Sequence, residues 1–184
     1  AYLLTPIMAV QPSDKLFRPP TAWIQPKIDG RESHFYEWCD AGVYDARADG
    51  DTMHISDPWI DKIYYGFDLE HVYFRIDFCD RMVEEFKADA VLQFEIQCDR
   101  KIILQFDAGE RNIGRNPPLP IRFQFGEIFE LAIPRADLNV QSKSKLDIVV
   151  VIYRGAREII RRPSRQPLTI DVSDDIFDRY LWSV

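Results

Sequence analysis

Histidine and cysteine are scarce, with three of each in 184 residues. His34, His54 and His71 stand apart from Cys39, Cys79 and Cys98, and no C-x-x-C spacing occurs. The clustered ligand set that a zinc site needs is therefore missing. An odd cysteine count closes no complete disulfide framework, so reduced thiols and a cytoplasmic setting are expected. Glycine is also sparse, at eight. None of the eight builds a phosphate-cradling loop or a G-x-S-x-G nucleophile elbow. No apolar run approaches the ~20 residues of a membrane-crossing helix, and the N-terminus has no basic start and apolar core of a signal peptide. Lys and Arg number 23 against 30 Asp and Glu, a net charge of −7. That sign argues against general affinity for nucleic acid or an anionic membrane. Helical periodicity is nearly absent.

What is present is alternation. From Trp59 the chain reads as short strands divided by turns. Trp59–Phe67 and His71–Phe78 form a hairpin around Asp68-Leu69-Glu70. In its second arm Val72, Phe74, Ile76 and Phe78 alternate with Tyr73, Arg75 and Asp77, the pattern of a half-buried strand. Leu92, Phe94 and Ile96 pair with Ile102, Leu104 and Phe106 across Asp99-Arg100. After a Pro- and Gly-rich loop from Asp107 to Pro120 come Ile121–Phe125 and Phe129–Ile133, then one helical turn at Pro134–Leu138. Leu146–Tyr153 is apolar on both parities, so a central strand covered on both faces is expected there. Arg157–Arg161 and Leu168–Val172 are two further strands. Ser173, followed by Asp174 and Asp175, is placed to cap a short C-terminal helix. About nine or ten strands at this spacing predict an all-β fold, a two-sheet antiparallel sandwich or jelly roll.

Two regions lie outside the alternation. Ala1–Gln25, with Pro6, Pro12, Pro19 and Pro20, reads as a connector that packs against a surface; Pro26–Val184 is then one sandwich domain. The chain opens at Ala1 without methionine and on a Pro-punctuated tether, which suggests a piece excised from a longer polypeptide. Pro26–His54 is dense in aromatics and Asp-Gly turns without regular periodicity, the composition of a segment that wraps a core or lines a site.

That stretch supplies the candidate site. A flat aromatic ring can cover the apolar C–H face of a sugar while polar side chains bond the hydroxyls at its rim, provided the ring is exposed. Trp38 and Tyr44, with Trp59 and Tyr65 as alternates, are the candidate stacking faces; Glu37, His54 and Arg75 are the candidate rim groups. Aromatics are more often core than ligand platforms. Arg75 and Asp77 share a strand face and offer either a surface pair or a polar floor beside Tyr73. Asp45, Asp49 and Asp51 form an acidic turn: solvated side chains are expected, with a structural calcium as the alternative, although the spacing is not that of an EF-hand loop. Haem ligation by Met53 and His54 is unfavourable, since adjacent residues do not easily take opposite axial positions. Among 30 acidic residues some pair always lies at a glycosidase-like separation, so no catalytic dyad is signalled; Glu37 is the best of that field.

The residues also carry a likeness. Ile28-Asp29-Gly30, Tyr36-Glu37-Trp38, Ala41-Gly42-Val43-Tyr44, Met53-His54, Tyr65-Gly66-Phe67-Asp68 and Tyr73-Phe74-Arg75-Ile76-Asp77 occur in an order that resembles the C-terminal region of bacterial glycoside hydrolase family 57 proteins, the α-amylase and α-mannosidase-like group. Arg157-Glu158-Ile159 and the closing Trp182-Ser183-Val184 are similar to the ends of such chains. More loosely, the pattern is similar to family 9 carbohydrate-binding modules and DOMON-like sandwiches. The catalytic carboxylates of family 57 belong to an N-terminal barrel that this chain lacks. The resemblance therefore implies a non-catalytic accessory domain without a cofactor. Its partners would be an α-glucan or related oligosaccharide or polysaccharide and the catalytic domain of the same polypeptide. The alternative it leaves open is a structural domain that packs against the barrel or mediates oligomerisation.

Overall fold

The computed structural model describes residues 16–49, 59–107 and 120–173. In chain order the elements are β1 (Phe17–Arg18), β2 (Gly42–Asp45), β3 (Ile60–Phe67), β4 (His71–Phe78), α1 (Met82–Asp89), β5 (Ala90–Gln97), β6 (Lys101–Asp107), β7 (Arg122–Phe125), β8 (Phe129–Pro134), β9 (Ser144–Arg154), β10 (Arg157–Arg162) and β11 (Leu168–Val172). They form two antiparallel sheets, one of six strands in the order β1-β2-β3-β4-β8-β7 and one of five, β10-β9-β5-β6 with β11 also on β9. The all-β sandwich expected from the alternation is the fold observed. No helix among the described residues is long and apolar enough to cross a membrane.

Alternation places the core. Val72, Phe74 and Ile76 of β4, Leu92, Phe94 and Ile96 of β5, Leu104 and Phe106 of β6, and Phe129, Leu131 and Ile133 of β8 all point between the sheets. Phe129 is the hub: its ring lies 5.0 Å from Phe106, 5.8 Å from Phe94, 6.2 Å from Phe123 and 6.5 Å from Phe125. Each such side chain contributes about 1.5–3 kcal/mol by leaving water, and the tilted ring pairs add a further increment.

β9 is the longest strand, and its two flanks are used differently. One flank runs along β5 from Asp147 to Arg154. The other is divided, with β11 on Ser144–Ile148 and β10 on Val150–Arg154. Its inward residues Leu146, Ile148, Val150 and Ile152 are buried as expected. On the outward parity only Val151 is buried, while Val149 and Tyr153 are half-buried. The two-sided cover read from the apolar run is thus partial. β4 departs in the opposite sense: Tyr73 and Arg75, on the second face of a strand read as half-buried, are buried. The reason is residues 19–41, which lie over the outer face of the six-stranded sheet. There Ile24, Trp38, Ala41, Tyr73 and Ala132 make a second small core, with Ile28 and Tyr64 at its margin. Gly66 leaves room for Ile24, whose Cδ1 would lie 2.6 Å from an added Cβ.

Residues 16–25 of the expected connector are packed: β1 pairs with β2, and the Ile24 N–H donates to the Phe67 carbonyl at 3.3 Å. Three elements escaped the periodicity, β1 being only two residues long. β2 lies inside the stretch read as irregular, and four residues are too few to display alternation. α1 is two turns long and buries only Phe86, which packs 5.2 Å from Phe78 and 5.0 Å from Phe125. One apolar anchor gives no helical stripe. Glu84 and Glu85 in its first turn and Lys87 in its last suit the helix dipole. The expected C-terminal helix beyond Ser173 and the loop at 108–119 lie outside the described residues.

Candidate functional site

The aromatic-rich stretch is held down by one carboxylate. Glu130 sits on the outer face of β8, in register with Arg75 of β4 and Gln124 of β7. It is fully buried. The Asp29 and Gly30 N–H groups donate to its Oε2 at 2.9 and 2.8 Å, and the Trp38 indole N–H donates to Oε1 at 3.1 Å. Burial pushes the Glu130 carboxyl above its usual range, against the pull of these donors. Gly30 closes the clamp from above. Its carbonyl accepts from Glu127 and Ile128 at 2.9 and 3.2 Å, and its φ of 77° is left-handed. The approach is so close that a Cβ on Gly126 would lie 2.4 Å from the Gly30 oxygen. The Asp29 carboxylate turns the other way. It takes the Ser33 hydroxyl at 2.5 Å and Lys27 Nζ at 3.1 Å.

Beside Glu130, Arg75 is buried and its guanidinium is committed. Nε and Nη2 donate to the two oxygens of Asp77 at 2.6 and 3.0 Å, and Nη2 also meets Glu32 at 3.0 Å. The charge lies 4.7 Å from the Tyr64 ring centre, which in turn stands 6.4 Å from Trp38. Trp38, Tyr64 and Arg75 thus form a continuous row of contacts on the outer face of the sheet.

Residues 33–40 make a tight turn, with the Glu37 N–H donating to His34 O at 3.2 Å and the Ala41 N–H to Trp38 O at 3.2 Å. The turn sends Trp38 inward and two rings outward. Phe35 is 75% exposed and Tyr36 79%. Their centres are 5.4 Å apart and their planes 86° apart, an edge-to-face pair. Trp23 is the next most open ring of this face, at 45%. Glu37 is half-buried, and its Oε2 has no hydrogen-bond partner.

The nominated residues are divided between the two sides of the sheet. Trp38 and Arg75 both meet Tyr64 on the outer face, and Glu37 stands beside Trp38 in the same turn. Tyr44, Trp59 and Tyr65 belong to the main core. The Tyr44 hydroxyl donates to Asp49, whose carboxylate also takes the N–H and hydroxyl of Ser164 at 2.7 and 2.8 Å. Burial raises the Tyr44 pKa. Trp59 lies under the Arg154 guanidinium at 5.4 Å. The Tyr65 hydroxyl donates to Arg18 O at 3.1 Å, and burial pushes its pKa up to about 12. A sugar stacks only on an open face, and all four rings are buried. The open rings are instead Phe35 and Tyr36. Arg75, expected at a rim, is buried because residues 19–41 cover it. His54 lies outside the described residues, as do Met53 and Asp51. For calcium, Asp45 Oδ1 already accepts the Arg47 and Ala48 N–H groups at 3.0 and 3.2 Å. Among the described residues no three His, Cys, Asp or Glu side chains are grouped to hold a metal.

Glu130 was missed because Phe-Glu-Leu reads as an ordinary solvent position in an alternating strand. Phe35 had one visible signal, its place next to Tyr36 in a stretch without periodicity. The fold and this clamp together define an antiparallel β-sandwich carrying an exposed aromatic turn. No family model matches the chain, and no curated protein matches it.

Proposed function

We propose that the chain is a non-catalytic accessory domain that docks onto another protein surface through Phe35 and Tyr36. The observation behind this reading is their exposure on a turn fixed from below by Trp38 and Glu130. Exposed aromatics on a preorganised turn lose little freedom on binding, and aromatic anchors dominate protein interfaces. The edge-to-face arrangement makes a ridge that fits a pocket, rather than the coplanar platform a sugar chain would lie across. The resemblance to family 57 C-terminal regions suggests the surface that receives it, the catalytic barrel of the same polypeptide.

The experiment mixes the chain with a separately produced barrel region and measures affinity by calorimetry. Phe35→Ala with Tyr36→Ala weakens binding at least about tenfold, or ~1.4 kcal/mol, while the thermal midpoint of the domain holds. Association unaffected by the double variant overturns the reading. Self-association that the double variant abolishes gives the turn to a second copy of the chain. As a non-catalytic domain, the chain alone leaves malto-oligosaccharides and aryl glycosides intact; turnover that survives repurification and disappears in Glu37→Gln contradicts this.

A further inference from the structure

The end of β10 and the turn that follows it concentrate positive charge. Arg154, Arg157, Arg161, Arg162 and Arg165 fall within twelve residues of a chain whose net charge is −7. In their midst stands Ser164, an exposed residue of the turn between β10 and β11. Of all the serines and threonines in the sequence, it alone has arginine at both the second and the third preceding position. Its backbone N–H and hydroxyl donate to the Asp49 carboxylate at 2.7 and 2.8 Å, and the same carboxylate takes the Tyr44 hydroxyl. Tyr44 lies on β2 of the six-stranded sheet, and Ser164 joins two strands of the five-stranded one. Asp49 is therefore a latch that ties the two sheets together at this end.

Arg162 connects this latch to the positive charge. Its guanidinium is near enough to act on both Tyr44 and Asp49. Its buried Nε has no hydrogen-bond partner among the described residues. β10 is an edge strand that pairs with β9 alone among the described strands. The segment leading to Ser164 can lift from that edge in a local opening that leaves the core folded. Arg161 holds Glu95 at 3.1 Å and Glu158 at 2.9 Å, but both pairs are partly solvated, and such pairs are given up at little cost. Two arginines just ahead of an exposed hydroxyl are what a serine kinase with an acidic substrate groove reads, through bidentate carboxylate pairs.

We propose that Ser164 is a phosphorylation site, modified by a kinase that selects basic sequences, and that the phosphate opens the Asp49 latch between the sheets. In the transfer the Ser164 oxygen attacks the γ-phosphorus of ATP. The bond from that phosphorus to the β-phosphate oxygen breaks, ADP leaves, and the hydroxyl proton passes to the kinase's catalytic base. The ester oxygen then has no hydrogen for Asp49, and the new group carries roughly −1.5 to −2 charge at neutral pH. Repulsion drives it away from the carboxylate. Arg162 Nε supplies a donor that the phosphate takes in exchange. None of this rests on docking through Phe35 and Tyr36.

The test incubates the folded chain with magnesium ATP and, in separate reactions, cyclic-AMP-dependent protein kinase and protein kinase C, and locates phosphate by tandem mass spectrometry. At least one of them modifies Ser164 ahead of every other residue. Arg161→Met slows that transfer about tenfold, the worth of one charge-assisted pair, and Ser164→Ala abolishes it. The modified chain has a thermal midpoint lower by ~3 °C or more. In Asp49→Asn, which lacks the repelling charge, the same modification lowers the midpoint by less than half as much. If Asp49→Asn does not fold, Ser164→Asp set against Ser164→Ala gives the comparison: the added carboxylate lowers the midpoint by ~2 °C or more beyond loss of the hydroxyl. Absence of phosphate on Ser164 with both kinases overturns the proposal, as does preference for another residue or indifference to Arg161→Met. An unchanged midpoint after complete modification, or equal shifts with and without the Asp49 charge, also overturns it.

Discussion

The two outer faces of the sandwich are built from strands of the same kind and end in opposite conditions. On the six-stranded sheet Arg75, Tyr73 and Glu130 are roofed by residues 19–41 and buried. On the five-stranded sheet Glu95 and Arg161 pair side by side with part of each side chain in solvent, and no segment covers them among the described residues. Alternation in a strand records that one face is apolar. What lies on the second face is decided by chain far away in sequence. Polar groups under a roof depend wholly on the partners built for them, whereas polar groups on an open sheet retain water as a substitute.

The strongest challenge to that contrast is Glu130→Ala. It leaves the Asp29, Gly30 and Trp38 donors without their acceptor, and a loss of about 3 kcal/mol in urea unfolding is expected. A loss under ~1 kcal/mol would mean that the roof does not depend on the clamp. Arg75→Met comes next at about 2 kcal/mol, because Asp77 and Glu32 lose their cation while Glu32 keeps part of its water. The matched change on the open face, Arg161→Met, costs less than ~1 kcal/mol, since its ion pairs are partly solvated. Equal losses for the two arginines would erase the distinction. The smallest effect is in pH. Because the folded Glu130 carboxyl lies above its ordinary pKa of 4.5, its favourable share of stability is full below that value and fades as pH rises through the raised one. The stability of wild type relative to Glu130→Gln therefore falls as pH rises across this window, as paired urea curves can show; a difference that grows with pH contradicts the assignment.

Much of the fold was legible. The two hairpins at Asp68-Leu69-Glu70 and Asp99-Arg100 fall where the turn residues put them, as do β7, β8, β10 and β11. The site was less so. Trp38, Tyr44, Trp59 and Tyr65 attract attention by type, but ring type carries no information about exposure. Each has a partner that only the folded chain reveals: Glu130, Asp49, Arg154 and the Arg18 carbonyl respectively. Phe35, by contrast, passes as one more apolar residue, and its exposure depends on a turn whose anchor, Glu130, lies nearly a hundred residues away. Gln93 and Gln105 look like routine strand polars until the register sets them opposite each other.

The divided flank of β9 has a consequence for how the domain opens. β10 ends opposite Val150 and β11 begins opposite Ile148, so the two strands hold β9 through separate sets of backbone bonds, one on either side of Val149. Either can detach while the other stays zipped, since local openings follow contiguous bonded units. Amide hydrogens at that edge therefore exchange with solvent in two populations, divided at Val149, whereas the opposite flank, continuous with β5, opens only as a whole.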